Sequence, residues 1–413
     1  MSPIEAPVQA AVQAAQWIRA CAVDDARGRH WHAGDRAALP HRPASLYSGA
    51  AGIVLFFLEL AAATGDDSYL EDAAEGARYL SAVWPEQRDP TFHDGLAGMV
   101  FALAEAGWVI DDAFTVAAAQ AADLLAAAGP TWTGDPCQRG DGGIILTLLH
   151  ASALLGAPAY ERVAVEAGLR IADLPVPGHR FGPDSPAESP ADLPVDAVTP
   201  GFLSGTAGTA FLLARLHAVT GEPRFHDAAV RGAAFVRAVS EVNGSCALVP
   251  HHLPQGRHLH YLGFCSGSAG VARMFHELGD DDWVERLAHG ILTSGVPYRR
   301  TPGFWNVLCQ CCGVAGLLEL FVGLWAATGH EEYRAFALIL GEHLVGAAHQ
   351  GRWWQAYRRL RPAEITADTG YMVGAAGIGA ALLHLDAAER GDDRRLILLP
   401  DNPFPLTVRS GLA

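Results

Sequence analysis

The chain is short of charge, and of positive charge most of all. Only 18% of its 413 residues are charged, and 45 acidic against 29 basic residues leave a formal net charge of -16. That balance argues against nucleic-acid binding, which needs clustered Lys and Arg to meet phosphates. Long apolar runs are missing too. The longest, such as IVLFFLELAAA at 53–63, fall short of the roughly 20 residues a membrane-spanning helix requires, so no transmembrane segment is expected. The N-terminus, MSPIEAPVQAAVQAA, lacks the basic start and apolar stretch of a secretory signal, and a cytoplasmic setting is the default. Cysteines are few, odd in number and partly adjacent: Cys21, Cys137, Cys246, Cys265, Cys309, Cys311 and Cys312. An odd set with a vicinal pair does not make a disulfide framework, and it favours free or metal-bound thiols in a reducing compartment.

What the chain has in quantity is a repeat. Seven times a pair of glycines with small neighbours opens an apolar run, the first glycines being Gly49, Gly95, Gly140, Gly205, Gly267, Gly313 and Gly374. In four repeats a further glycine follows 16 positions on, with an aromatic four beyond it: Gly65/Tyr69, Gly156/Tyr160, Gly221/Phe225 and Gly329/Tyr333. In the fifth the pair is Gly279/Trp283, only 12 positions on. The missing four residues are about one helical turn, which keeps a helix face in place. Each unit therefore reads as an apolar inner helix, a Thr-Gly stop suited to a left-handed cap, and an amphipathic outer helix. A unit that cannot bury its own apolar face must stack on its neighbours. Because the inner helices are apolar nearly all round, an all-α fold is expected: an α/α toroid of seven inner and seven outer helices in one domain spanning 1–413, ahead of an open solenoid. Two insertions interrupt the pattern, a proline-rich loop at 177–200 and a histidine-rich one at 242–263 that holds His251, His252, His258 and His260.

If the inner helices start at one level, the residues just before each first glycine share one end of the central cavity. Those residues are Ser48, Asp94, Arg139, Ser204, Ser266, Cys312 and Val373, and one place earlier stand Tyr47, His93, Gln138, Leu203, Cys265, Cys311 and Met372. Cys265, Cys311 and Cys312 fall at adjacent helix starts, close enough to share an ion; Cys309 is out of phase. Spacing alone makes this a weak zinc signal, and buried cysteine is also a common small hydrophobe.

These features together resemble the lanthionine synthetase C (LanC-like) family, especially its stand-alone bacterial members. The resemblance rests on the glycine-led helices, the cysteine before the fifth motif and the Cys-Cys-Gly turn of the sixth. It is strengthened by LGFCSGSAGVARMFHELG, GVPYRRTPGFWNVLCQCCGVAGLLE and TGYMVGAAGIGAALLHLDAAERG. It implies a toroid with a central zinc, held here by Cys265, Cys311 and Cys312, with Cys312 where the family usually has histidine. It implies addition of a cysteine thiol to dehydroalanine or dehydrobutyrine in a dehydrated precursor peptide, closing a thioether (lanthionine) ring. No dehydratase region is recognisable, so a separate dehydratase is expected. The alternatives are addition of a free, glutathione-type thiol to dehydroamino acids, and a non-catalytic peptide-binding scaffold in a peptide-modifying complex. Toroidal glycosidases need two opposed carboxylates, and only Asp94 is in phase.

The second half of the reaction needs a proton donor. Ser204 and Ser266 stand where the family often has histidine, and tyrosine or histidine. Replacement candidates are Asp94 with His93, Arg139 as an enolate partner or a mate for Asp94, and His258 or His260 on the loop before the metal motif. Asp135 is close to a family aspartate but off by one in register. The C-terminal LPDNPFPLTVRSGLA reads as an extended tail on the surface.

Overall fold

The computed structural model describes residues 6–34, 42–176, 197–298, 304–305, 307–358, 361–392, 394 and 396–405. Most of the proline-rich insertion therefore lies outside the described residues, as does the chain beyond 405. Helix α1 (Ala6–Ala20) leads into a hairpin of β1 (Ala22–Asp25) and β2 (Gly28–Trp31). The repeats follow as pairs: α2 (Ala50–Thr64) with α3 (Ser68–Val83), α4 (Leu96–Val109) with α5 (Asp112–Ala127), and α6 (Asp141–Leu155) with α7 (Pro158–Ala172). Next come α8 (Thr206–Thr220) with α9 (Pro223–Val239), a hairpin of β3 (Glu241–Asn243) and β4 (Cys246–Leu248), and β5 (His260–Tyr261). The last pairs are α10 (Ser268–Glu277) with α11 (Asp281–Thr293), and α12 (Val314–Thr328) with α13 (Glu331–Ala347). Between them β6 (Phe304–Trp305) lies parallel to β5, and α14 (Ala375–Arg390) closes the series. The described residues are thus mainly helical, with three two-stranded ribbons among them that the repeat pattern does not announce.

Even-numbered helices α2 to α14 are the inner ones. Each packs on the next, and α14 packs on α2 as well as α12, so their contacts run in a cycle. The outer partner of α14 is the N-terminal helix α1, a pairing no motif foreshadows.

Local chemistry accounts for the repeat. Ala50 to Ala61 of α2 is buried without a break, whereas α3 buries one face through Tyr69, Ala73, Ala77 and Leu80. At the Thr-Gly stops, Thr64, Thr220 and Thr328 each donate a hydroxyl hydrogen bond to the carbonyl four residues back, at 2.7 Å. The following glycines take left-handed backbones, with φ of 68°, 69° and 72° at Gly65, Gly221 and Gly329, which a side chain would strain. The aromatic beyond the stop packs on the inner helix: Tyr69 on Phe57, Trp283 on Phe275 and Tyr333 on Phe321. All three inner partners sit eight places after the first glycine. The shortened fifth repeat has therefore lost its turn from the far end of α10 and kept its start in phase.

At their starts, the inner helices fold onto the loops that precede them. A Cβ at Gly208 would sit 1.8 Å from the Phe202 carbonyl oxygen, and one at Gly98 2.1 Å from that of Phe92. In six repeats the carbonyl met by the second glycine lies six residues back; in the third, Gly143 meets Gln138, five back. The loop of the third repeat is one residue short.

The far end of the inner helices is polar. Ten places after each first glycine stand Glu59, Glu105, His150, Arg215, Glu277, Gly323 and His384. They pair between neighbouring helices: His384 with Glu59 at 3.1 Å, His150 with Glu105 at 3.1 Å, and Arg215 with Glu277 at 3.4 Å. Gly323 is left over, and the Phe404 ring lies against it, 2.4 Å from where a Cβ would stand. Phe404 belongs to the segment 396–405, which is not a surface tail. Its Ile397 N–H donates to the Glu59 carboxylate, and Asp401 meets the buried Arg273 at 3.2 Å. The far end thus takes up a chain segment whose apolar and acidic residues match it. The chain contains no lysine, and every cation in these pairs is arginine or histidine.

Candidate metal centre

The opposite end is organised by backbone. Seven residues just ahead of the inner helices are linked, from Arg139 round to His93, by six N–H to carbonyl hydrogen bonds donated in the same sense. Tyr47 donates to His93 (2.8 Å), Arg139 to Leu203 (3.0 Å), Leu203 to Cys265 (2.7 Å), Cys265 to Cys311 (3.0 Å), Cys311 to Met372 (2.9 Å), and Met372 to Tyr47 (2.9 Å). These residues form one belt.

The belt corrects one register. Counting from the glycine puts Arg139 in the row of Ser204 and Cys312, but the short third loop moves it into the row of Cys265 and Cys311. The same shift settles Asp135. Its carbonyl faces Gly140 as those of Asp89 and Asp368 face Gly95 and Gly374, while its carboxylate accepts the Cys137 N–H at 3.1 Å.

Cys265, Cys311 and Cys312 are brought together. Their sulfurs all lie within 4.8 Å of one another, and all three residues are buried. The Sγ atoms of Cys265 and Cys312 are 3.3 Å apart and those of Cys312 and Cys311 3.5 Å. None is in a disulfide. Among the described residues no other group of His, Cys, Asp or Glu side chains has this metal-binding proximity. The Cys311 thiol and burial push the Cys265 thiol up, and Cys265 with Cys311 does the same to Cys312. A bound cation would reverse these shifts by replacing the thiol protons. Cys309 stays outside the group, its N–H bonded to Gln355 Oε1 at 3.1 Å.

The chain belongs to the lanthionine synthetase C-like family. The match covers residues 40–112 and 205–394, so it takes in Cys265, Cys311 and Cys312 and leaves out 113–204, which holds the short third loop and the belt residues Arg139 and Leu203. Among solved structures, this family member is similar to nisin cyclase at 14% identity, with a TM-score of 0.66 over 92% of this chain and 93% of that one. An unsaturated glucuronyl hydrolase from Bacillus sp. GL1 is matched at 15% identity and a TM-score of 0.46, over 93% of this chain and 95% of that one. No curated protein matches in sequence.

The other residues singled out by sequence separate into two groups. His93, Asp94 and Arg139 come together on repeats two and three. The Asp94 carboxylate lies 4.0 Å from Arg139 and 3.8 Å from Arg42. The His93 ring is 1% exposed with no partner on either nitrogen. Burial, seconded by the Arg139 charge, pulls its pKa down to about 3, so the ring is neutral at physiological pH. His260 is not on a loose loop. It lies in β5 against β6, with Nε2 3.4 Å from the Glu241 carboxylate. His258 is exposed.

Two features escaped sequence reasoning. Tyr47 meets Tyr357 through their hydroxyls at 2.9 Å, and Gln355 accepts the N–H groups of Leu308 and Cys309 while donating to the Val373 carbonyl at 2.7 Å. Residues 355–357 lie in no repeat unit, so no periodicity points to them. The polar row at the far end was visible in principle, since it occupies one fixed position in every inner helix.

Proposed function

We propose that this chain is a zinc-dependent, thioether-forming cyclase of dehydrated peptides, built as a single α/α-toroid domain. The observation that carries this reading is the buried three-sulfur group that Cys265 and Cys311, neighbours in the belt, form with Cys312. Tetrahedral zinc with sulfur ligands at about 2.3 Å spaces them by about 3.8 Å, and the sulfur separations of 3.3 and 3.5 Å need only a small opening to meet it. Thiolate donors suit zinc among the common ions. Three ligands with no fourth from the described protein leave a position for substrate, as in catalytic sites.

When bound, zinc would acidify a substrate cysteine and hold its sulfur as a nucleophile. Cys265, Cys311 and Cys312 would supply the negative shell that keeps that sulfur electron-rich. The belt fixes the direction from which the alkene of dehydroalanine or dehydrobutyrine arrives, and Arg139 on the opposite arc faces the developing enolate oxygen. His93, Asp94 and Arg139 form the polar wall of the cavity in this reading, and His260 supports the metal loop from behind. The substrate is a precursor peptide already dehydrated by a separate dehydratase. No helix among the described residues is long and apolar enough to cross a membrane, and seven free cysteines favour a reducing, cytoplasmic setting.

The test is Cys311→Ala. Wild-type protein should carry about one zinc per chain and convert a peptide with one dehydroalanine and one cysteine to a ring of unchanged mass with its thiol lost. The variant should lose metal and ring closure together. Full cyclisation by the variant would sink the reading. A product heavier by one added thiol would assign intermolecular addition instead, and metal-free, peptide-binding protein without turnover would make it a scaffold.

A further inference from the structure

We propose that the Tyr47 hydroxyl is the proton donor of the cyclisation, with Tyr357 as its positioning residue; this rests on the cyclase reading above. The reaction needs an acid, and the residues ahead of Gly205 and Gly267 are serines, whose alcohols are weak acids. The other polar residues nearby fit the role less well. His93 is neutral and buried, and the Asp94 carboxylate lies between two guanidinium groups.

Tyr47 has three features the role requires. It is placed: it stands in the belt row of Cys265 and Cys311, with only Met372 between it and Cys311. Two hydrogen-bonded steps of about 4.8 Å hold their backbones no more than about 10 Å apart, within the combined reach of a tyrosine side chain and a peptide held at the sulfurs. It is connected: its Oη meets Tyr357 Oη at 2.9 Å, giving a proton a route back after delivery. It is electrostatically supported: the Arg139 guanidinium lies 5.4 Å from its ring centroid, so the negative charge left behind is met by a fixed cation.

The step balances. The substrate thiol loses its proton on becoming a thiolate. Its sulfur forms the C–S bond at the β carbon, and the alkene π pair moves to the α carbon and its carbonyl. Tyr47 delivers a proton to the α carbon, and the phenolate recovers, through Tyr357, the proton the thiol surrendered.

The experiment uses the full chain and the one-dehydroalanine, one-cysteine peptide. Tyr47→Phe should keep its zinc and its peptide binding, measured by fluorescence anisotropy. Ring closure should slow 10²- to 10⁴-fold, and the product should show mixed configuration at the α carbon, because solvent then protonates either face. Tyr357→Phe should lower kcat about tenfold with KM unchanged. Difluorotyrosine at position 47 preserves the packing if Tyr47→Phe does not fold, and should move the alkaline limb of the rate profile to lower pH. Wild-type rate and a single configuration in Tyr47→Phe, or an unmoved limb with difluorotyrosine, would overturn the assignment while leaving the cyclase standing. Wild-type protein that neither binds zinc nor closes the ring would overturn both.

Discussion

Each end of the inner helices buries a histidine, and the two are held in opposite states. At the belt, the His93 ring is fully buried beside Arg139 with no hydrogen-bond partner among the described residues, and it is neutral. At the far end, His384 is equally buried but lies between Glu319 at 2.8 Å and Glu59 at 3.1 Å. Burial disfavours its charged ring, yet the two carboxylates prevail and hold its pKa well above the ordinary value near 6.5. The difference shows how the molecule divides its labour. The far end is joined by side chains, which must keep their charges to stay paired. The belt is joined by backbone, so its side chains can change without unfasteneing it. That freedom fits the departures at Ser204, Ser266 and Cys312 from what the family resemblance leads one to expect.

The two ends should part most visibly in His384→Ala, which leaves Glu59 and Glu319 buried without their cation. A loss of about 3–5 kcal/mol is expected, read from the midpoint of urea unfolding, while the refolded variant should match wild type in zinc content. Loss of metal at unchanged stability would mean that the two ends are not separate. Phe404→Ala should cost about 3 kcal/mol as the notch at Gly323 empties, again with metal content intact.

The pH dependence sharpens the contrast. His384 has a raised pKa, so its contribution is complete below about pH 6.5 and is lost as pH rises through the folded value. Glu319 is held below its ordinary 4.5, because the His384 charge outweighs the opposing effect of burial; its contribution is lost only as pH falls beneath 4.5. His93 has a lowered pKa, so its effect has the other sign. Stability at the belt is complete above pH 6.5 and declines by about 1.4 kcal/mol per pH unit on acidification toward 3. Unfolding curves from pH 4.5 to 6.5 should therefore slope less in His93→Phe than in wild type. An unchanged slope would mean that His93 is not buried neutral.

Much of this was legible in the sequence because glycine is. The inner starts, the Thr-Gly stops and the lost turn of the fifth repeat follow from residues whose backbone or size admits no substitute. The three cysteines met because they share the phase of those starts. The register of the third repeat was not legible, since GDGG offers glycines at 140, 142 and 143 and only the loop carbonyls reveal which ones do the packing. The role of α1 was hidden because it carries no motif, and the inward course of 396–405 because its anchors, Arg273 and Glu59, lie far away in sequence. Tyr357 could be placed only by seeing which hydroxyl it meets.

The pairing of α1 with α14 has a consequence for how the chain reaches this state. The seam joins helices far apart in the chain, so a nascent chain that stops short of α14 cannot close the cycle of contacts. Until α14 emerges, α2 and α12 have apolar flanks with nothing to cover them, and such surfaces recruit other chains. Contacts this distant in sequence also form slowly. Maturation of this protein should therefore be limited by the meeting of α1 with α14, and a nascent chain arrested before residue 375 should be the species that chaperones hold.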